Sequence, residues 1–175
     1  MVSKKGEKIF AFYKKAYLKK ENDALSLIIY DGHSQTIEYS IETLKEVSRL
    51  LKLSDKYELP VTFRAAGTSL SGQAITNSIL IVAGKHWEDY EVLDNGERIK
   101  LQPGIIGDRV NQILKPYGKI FSPDPASKKS AMVGGIVMNN ASGMSCGVWA
   151  NSDRVLLSAR LIFADGTVLD TADKA

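Results

Sequence analysis

The sequence has little sulfur and little imidazole. Its 175 residues include one cysteine, Cys146, and two histidines, His33 and His86. A single cysteine excludes an internal disulfide framework and a multi-cysteine zinc site, and it favours a reducing, cytoplasmic compartment. Both histidines lie beside predicted turns or loops. Neither is near Ser69 in sequence, so this serine has no neighbouring base that would make it a nucleophile. We therefore predict no catalytic residue and no metal ligand in this chain.

The sequence also lacks long apolar runs and an even spread of charge. No run approaches the roughly 18–20 apolar residues that span a bilayer. Lysines interrupt every apolar stretch near the amino terminus, which does not fit a signal peptide. Residues 1–20 carry a charge of +6, so the rest of the chain carries −3 of the +3 total. A mildly acidic body does not fit a nucleic-acid surface. We expect a cytoplasmic protein without a transmembrane segment, and peripheral membrane contact through the lysine-rich end stays open.

Hydrophobic spacing predicts the elements of the first half. Residues 4–20 fit an amphipathic helix, which could meet a membrane or a partner, or could pack its aromatics on the body. Residues 24–30 fit a strand, and residues 41–56 fit a helix that Ser40, or Thr43 with Glu46, could cap. Short strands at 61–63 and 78–83 then complete a small, partly parallel βαβ unit.

The second half has a different pattern. Residues 90–93 and 97–101 flank Asp94-Asn95-Gly96, a strong hairpin signal, and a helix is expected at about 106–115. A long strand at 155–163 turns back at Asp165-Gly166, so this half is mainly antiparallel. The prediction is an α+β chain divided into a basic helix at 1–22, a first subdomain at 23–84 and a second at 85–175.

A glycine- and hydroxyl-rich loop follows the strand at 61–63. It runs from Arg64 to Gln73, and its small residues let a ligand approach backbone amides closely. Gly67 and Gly72 have the separation of a P-loop, but Gln73 and Ala74 replace its lysine and hydroxyl residue. Nucleotide hydrolysis is therefore not expected. A diphosphate held without metal, or a plain glycine-rich turn, are the two interpretations left.

Two later segments suggest contact with a flat ligand. Residues 121–127 contain two prolines two positions apart, which impose an extended path or simply a stiff crossover. Residues 131–143 are too polar for a core strand and too rich in glycine for a stable helix. Gly134-Gly135 permits close backbone approach, whereas the methionines nearby could pack a ring system or fill a core. The pattern fits a domain whose bound cofactor carries the reaction.

Taken together, these segments resemble the FAD-linked oxidases of the vanillyl-alcohol oxidase superfamily, in particular the D-lactate dehydrogenase and glycolate oxidase branch. The resemblance rests on residues 60–73 and on four later motifs in the family's order: Gln102-Pro103-Gly104-Ile105, Ser122-Pro123-Asp124-Pro125-Ala126-Ser127, Met132-Val133-Gly134-Gly135 and Ala164-Asp165-Gly166-Thr167-Val168-Leu169. It covers residues 40–171.

The resemblance implies an FAD-binding PCMH-type fold of two α+β subdomains with FAD between them. It implies that the pyrophosphate is held by Ala65, Ala66, Gly67, Thr68, Ser69, Gly72 and Gln73. It implies that the flavin and ribityl side is lined by Pro123, Asp124, Met132, Val133, Gly134, Gly135, Asn139, Ala141, Ser142 and Gly143. Members of this branch oxidise 2-hydroxy acids by hydride transfer to FAD and pass electrons to a quinone, cytochrome or iron–sulfur partner.

The sequence departs from the family in ways that limit this transfer. Ala65 and Ala66 stand where members with covalent flavin often have histidine, which implies noncovalent FAD. Trp149-Ala150 and Asp153-Arg154 replace the usual Tyr-Gly and Arg-Asp pairs, and residues 31–39 lack the usual pattern.

The substrate or cap domain of the family is also missing from these 175 residues. We expect a fragment that binds FAD weakly or not at all and does not turn over alone. The FAD domain of another enzyme of this fold, such as an alkylglycerone-phosphate synthase or the cell-wall precursor reductase, stays an alternative. So does a noncatalytic anion- or nucleotide-binding module.

Overall fold

The computed structural model describes residues 14–21, 24–31, 37–41, 43–76, 78–83, 85–145 and 147–172. These residues form two compact units. The first unit contains the described residues up to Phe63, Ser71–Val82 and those from Arg160 onwards, and the second contains Arg64–Leu70 and Ala83–Ala159. The chain therefore crosses from one unit to the other several times.

The first unit is built mainly from short strands and one helix. In chain order these are β1 (Lys14–Glu21), β2 (Ala24–Asp31), β3 (Ile37–Ile41), α1 (Leu44–Lys56), β4 (Val61–Arg64), β5 (Ile79–Ala83) and, near the end of the chain, β8 (Arg160–Ile162) and β9 (Val168–Asp170). The strands β1 and β2 pair antiparallel, β3, β5 and β4 form a sheet in that order, and β8 pairs antiparallel with β9.

Helix α1 begins where the second of the two predicted caps places it. The Glu46 backbone N–H donates to Thr43 Oγ1 over 3.2 Å, which satisfies one of the amides that a helix start leaves unpaired. The predicted start at residue 41 is wrong, because Ile41 ends strand β3 instead. Val47, Leu50 and Leu51 of α1 are buried, as are Ile79 and its neighbours in β5.

The lysine-rich segment does not form the predicted helix where it is described. Residues 14–21 form strand β1, with Lys14 paired to Asp31 and Glu21 paired to Ala24 across a hairpin. Backbone pairing with the apolar strand β2 overrides a helical spacing that only a few residues carried. The earlier part of the predicted helix, residues 4–13, lies outside the described residues.

The second unit contains a hairpin and three short helices. Its elements are β6 (Tyr90–Leu93), β7 (Arg98–Leu101), α2 (Gly107–Leu114), α3 (Val133–Met138) and α4 (Ser152–Val155). The hairpin and α2 confirm the predicted elements, and β6 pairs antiparallel with β7 around Asp94-Asn95-Gly96. Its core holds the buried side chains of Ile105, Val110, Leu114 and Val133.

Two predictions for the second half are wrong. Residues 133–138 form a helix despite Gly134 and Gly135, because backbone amides at its start donate to carbonyls of residues 103 and 105. The long strand predicted at 155–163 is reduced to β8, because only Arg160–Ile162 has a partner strand. Helix α4 (Ser152–Val155) occupies the start of the predicted strand.

Each of the two units is discontinuous in sequence. Residues 64–70 belong to the second unit and residues from 160 onwards to the first. The β8–β9 turn joins α1, because Ser48 Oγ donates to the carbonyl of Gly166 over 2.7 Å. The mixture of helices with small sheets confirms the predicted α+β class.

Candidate cofactor site

The predicted pyrophosphate loop leaves strand β4 as an exposed turn. Ala66, Gly67 and Thr68 are exposed, whereas Ala65 and Ser69 are half-buried. Gly67 has a φ of +67°, a left-handed conformation that L side chains rarely adopt. With no side chain at 67 and small ones beside it, an anion can reach the backbone amides of this turn. The exposed turn is compatible with the predicted diphosphate site, which stays a prediction.

The loop lies against helix α3, the other glycine-rich segment. A Cβ placed on Gly135 would lie 3.5 Å from the Cβ of Ala65. Both residues belong to the second unit. Two segments that are 70 positions apart in sequence therefore meet, and both were predicted to touch the same cofactor.

Residues 102–105, one of the four later motifs, anchor the start of α3. The Gly134 N–H donates to Pro103 O over 2.9 Å, and the Val133 N–H donates to Ile105 O over 2.8 Å. A Cβ on Gly134 would lie 2.7 Å from the Cβ of Pro103, closer than such atoms approach. Gly134 is therefore required for packing, independently of any ligand.

Gly143 and Asp124 form a second close approach within the site. A Cβ on Gly143 would overlap the backbone carbonyl of Asp124. Pro123 beside it is fully buried, which holds the proline-rich segment in place. The segments 123–124 and 141–143, both predicted to line the flavin, are thus neighbours.

The Asp124 carboxylate is paired within its own segment. Lys128 Nζ donates to Asp124 Oδ1, and both side chains are about three-quarters buried. Hydrogen bonds from Lys128 and then Ser145 lower the pKa of the Asp124 carboxyl below its ordinary value. The carboxylate is therefore ionised and compensated by a cation, which limits its repulsion of an anionic cofactor.

Fifteen of the seventeen predicted site residues belong to the second unit. Gly72 and Gln73 belong to the first unit instead. Val133 packs its side chain in the hydrophobic core, so only its backbone is available to a ligand. Asn139 and Ser142 are exposed, and Met132 and Ala141 are half-buried.

Sequence reasoning missed Lys128 and Ser152, which hold these segments together, and it indicated hydrogen bonding by Asn140 without its partner. Lys128 pairs with Asp124, Ser152 Oγ lies 3.0 Å from Ala141 O, and Asn140 Oδ1 accepts the Asp153 N–H over 2.9 Å. The i, i+4 spacing of Asp124 and Lys128 could have indicated their pair. Ser152 carries no local signal, because its partners lie 11 and 16 positions earlier.

The described residues contain no other obvious chemical centre. Among them, no group of three or more histidine, cysteine, aspartate or glutamate side chains could hold a metal ion. His86 is exposed, and His33 and Cys146 lie outside the described part. In that same part, no helix is long and apolar enough to cross a membrane.

Comparison with known proteins identifies the class that this fold and site define. The model of a family described as FAD binding domain matches residues 39–172. The chain therefore belongs to this FAD-binding family, and FAD is the cofactor of the class. The resemblance to the FAD-linked oxidases is confirmed.

Curated relatives give the branch. The chain is 30% identical over 157 residues to D-2-hydroxyglutarate dehydrogenase of Haemophilus influenzae, covering 86% of this chain and 15% of the relative. It is 29% identical over 134 residues to glycolate oxidase subunit GlcD of Escherichia coli, covering 75% and 27%. It is 28% identical over 132 residues to D-lactate dehydrogenase of Archaeoglobus fulgidus, covering 74% and 29%. The chain thus spans less than a third of the length of each relative.

A solved structure confirms the fold. An alkyldihydroxyacetonephosphate synthase superposes with a TM-score of 0.65 at 21% identity, over 76% of this chain and 26% of that one. At this identity the likeness concerns the fold alone. It places the chain among the FAD-binding PCMH-type folds.

Proposed function

We propose that this chain supplies the FAD-binding portion of an oxidoreductase that oxidises a 2-hydroxy acid of the D-lactate or glycolate type. The observation that carries the proposal is the contact between Ala65 of the exposed loop and Gly135 of α3. It joins the two segments that the resemblance assigns to FAD within one unit. The curated relatives named above act on hydroxy acids, which favours this branch over other enzymes of the fold.

The residues of the second unit have defined roles in this proposal. The amides of Ala65, Ala66, Gly67, Thr68 and Ser69 bind the pyrophosphate. Residues 123–124, 132–135, 139 and 141–143 form a wall beside the flavin. Gly72 and Gln73 remain proposed contacts of the pyrophosphate. FAD, when bound, accepts the hydride from the 2-hydroxy acid. Ala65 and Ala66 offer no nucleophile, so the cofactor is held noncovalently.

We assign substrate binding and electron transfer to protein segments other than these 175 residues. A substrate or cap domain binds the hydroxy acid, and an iron–sulfur, quinone or cytochrome partner takes the electrons. The enzyme is cytoplasmic and can be peripheral to the membrane. The chain alone is inactive and binds FAD weakly, since a large share of the relatives' length has no counterpart in it.

An NMR titration of the isotope-labelled 175-residue chain with FAD tests the proposal. We expect amide shifts in residues 65–69 and 132–143, with a dissociation constant weaker than about micromolar. The same titration with inorganic phosphate is the control for a plain anion site. Shifts with phosphate but none with FAD would favour the noncatalytic anion-binding module. Submicromolar FAD affinity, or D-lactate oxidation by this chain alone, would show that the chain is not an incomplete portion.

A further inference from the structure

We infer that Ser152 is a positioning residue that sets the course of the 139–143 turn, and thereby of the proposed flavin wall. The inference rests on the proposed function. It concerns the end of helix α3, where the backbone must leave the helix and reach Gly143. Ser152 and the 139–143 turn both belong to the second unit.

Helix α3 ends in a Schellman motif. The Ala141 N–H donates to Ile136 O over 2.8 Å, and the Asn140 N–H donates to Val137 O over 3.0 Å. The motif requires a left-handed residue between helix and exit, and Asn140 has a φ of +46°. Asparagine is less favourable there than glycine, but its side chain can add a contact that glycine cannot make.

The side chain of Asn140 supplies such a contact. Its Oδ1 accepts the Asp153 N–H over 2.9 Å, in the first turn of helix α4. This bond ties the left-handed residue to the segment that carries Ser152. The turn and α4 therefore hold each other in place.

The hydroxyl of Ser152 lies between the two ends of the turn. Ser152 is 1% exposed, and its Oγ lies 3.0 Å from Ala141 O and 3.2 Å from Ile136 O. One hydroxyl proton serves these two carbonyls, and the Ser152 N–H also reaches Ala141 O over 3.4 Å. Because Ser152 is buried, these carbonyls gain little from water if the hydroxyl is removed.

The position of residue 141 has a direct consequence for the site. Gly143 follows two residues later and lies against the backbone of Asp124. A shift at Ala141 would therefore move the contact that joins the two halves of the proposed flavin wall. Among the hydrogen bonds of Ser152, those to Ala141 O reach a residue predicted to line the flavin, so Ser152 acts through the position of that residue.

Amide hydrogen exchange on the intact chain tests the inference, with FAD affinity measured on the same samples. In Ser152→Ala we expect the amide hydrogens of residues 139–141 to exchange at least about tenfold faster than in wild type, because a buried hydroxyl contact is lost. The exchange rates in α2 should change little. We expect the FAD dissociation constant of this variant to rise at least about tenfold. Ser48→Ala is the matched control, because it removes a hydroxyl-to-carbonyl bond in the first unit.

Each outcome is decisive. Turn exchange like wild type, or a Ser48→Ala variant with the same local effect, would overturn the role of Ser152. Faster exchange with an unchanged FAD affinity would separate the turn from the cofactor and overturn the inference, while the proposed function stands. A wild-type chain that does not bind millimolar FAD would overturn the weak binding proposed above and the cofactor part of the inference together. If Ser152→Ala does not fold, Ser152→Cys keeps the shape of the side chain with a larger atom and a weaker donor, and is read the same way.

Discussion

Gly143 lies so close to the main chain of Asp124 that no side chain fits between them. The first residue ends the turn after α3, and the second belongs to the proline-rich segment 19 positions earlier. Their contact joins two segments that the resemblance assigns to the flavin. Because the obstacle is backbone, a rotamer change cannot relieve it.

Gly143→Ala should therefore destabilise the chain strongly. The new methyl group would overlap the Asp124 carbonyl, and we expect a loss of about 3 kcal/mol or more in the free energy of unfolding. Urea denaturation measures it. The neighbouring exposed Ser142→Ala variant is the control and should stay within about 0.5 kcal/mol of wild type. Equal stability of the two variants would contradict the close approach.

Adjacent glycines of α3 should respond differently to the same substitution. Gly134→Ala would place a Cβ 2.7 Å from Pro103 Cβ, and we expect a loss of about 1–3 kcal/mol. Gly135→Ala meets only Ala65 at 3.5 Å, so the gain in helix propensity should leave it neutral or up to about 1 kcal/mol more stable. Thermal unfolding of both variants checks this. The reverse order would mean that α3 does not pack on residues 102–105 as described.

Gly67→Val should weaken FAD binding at least about tenfold, because a branched side chain covers the amides of the loop. Gly118→Val is a matched control, since Gly118 has a φ of +66° against +67° for Gly67. A built Cβ meets nothing within 4 Å at Gly118 and only the flexible side chain of Arg64, 3.2 Å away, at Gly67. The nearly equal φ therefore gives both variants similar backbone strain. Equilibrium titration with FAD, alongside a melting curve for each variant, separates binding from folding. A Gly67→Val chain that binds FAD as tightly as Gly118→Val would remove the loop from the site.

Stability at low pH should depend on the ion pair between Asp124 and Lys128. The folded-state pKa of Asp124 is lowered, so its carboxylate contributes stability above the unfolded-state pKa, and this contribution is lost as the pH falls through the folded-state value. Lys128→Met should raise the pKa of Asp124 and make unfolding less dependent on pH below about 4. Carbon-detected NMR titration of the Asp124 carboxyl gives its pKa directly. Lys129→Met is the control, and an equal rise in both variants would contradict the pairing.

Local signals predicted much of the fold correctly. The spacing of Thr43 and Glu46 indicated the cap of α1, and Asp94-Asn95-Gly96 indicated the β6–β7 hairpin. These features depend on hydrogen bonds between residues a few positions apart, so a short stretch of sequence contains both partners. The family resemblance extended this to the cofactor, because it uses the order of several motifs.

Two elements were predicted poorly, and only one of them depends on distant partners. Residues 14–21 pair with the next strand, β2, although their spacing also fitted a helix. Residues 133–138 form a helix that carbonyls of residues 103 and 105 anchor from far away in the sequence. In each case hydrogen bonds to another segment outweigh small differences in intrinsic propensity.

The sequence by itself determined the α+β class, the FAD-binding family and the segments that carry small residues suited to a cofactor. Only the tertiary structure decided that Ala65 meets Gly135 and that Gly143 meets Asp124. It also decided that Ser152 Oγ bonds to Ala141 O in the turn after α3. The reason is physical. A motif indicates which backbone segments are bare enough for a ligand to approach. Whether those segments lie together depends on contacts between residues 11 to 70 positions apart.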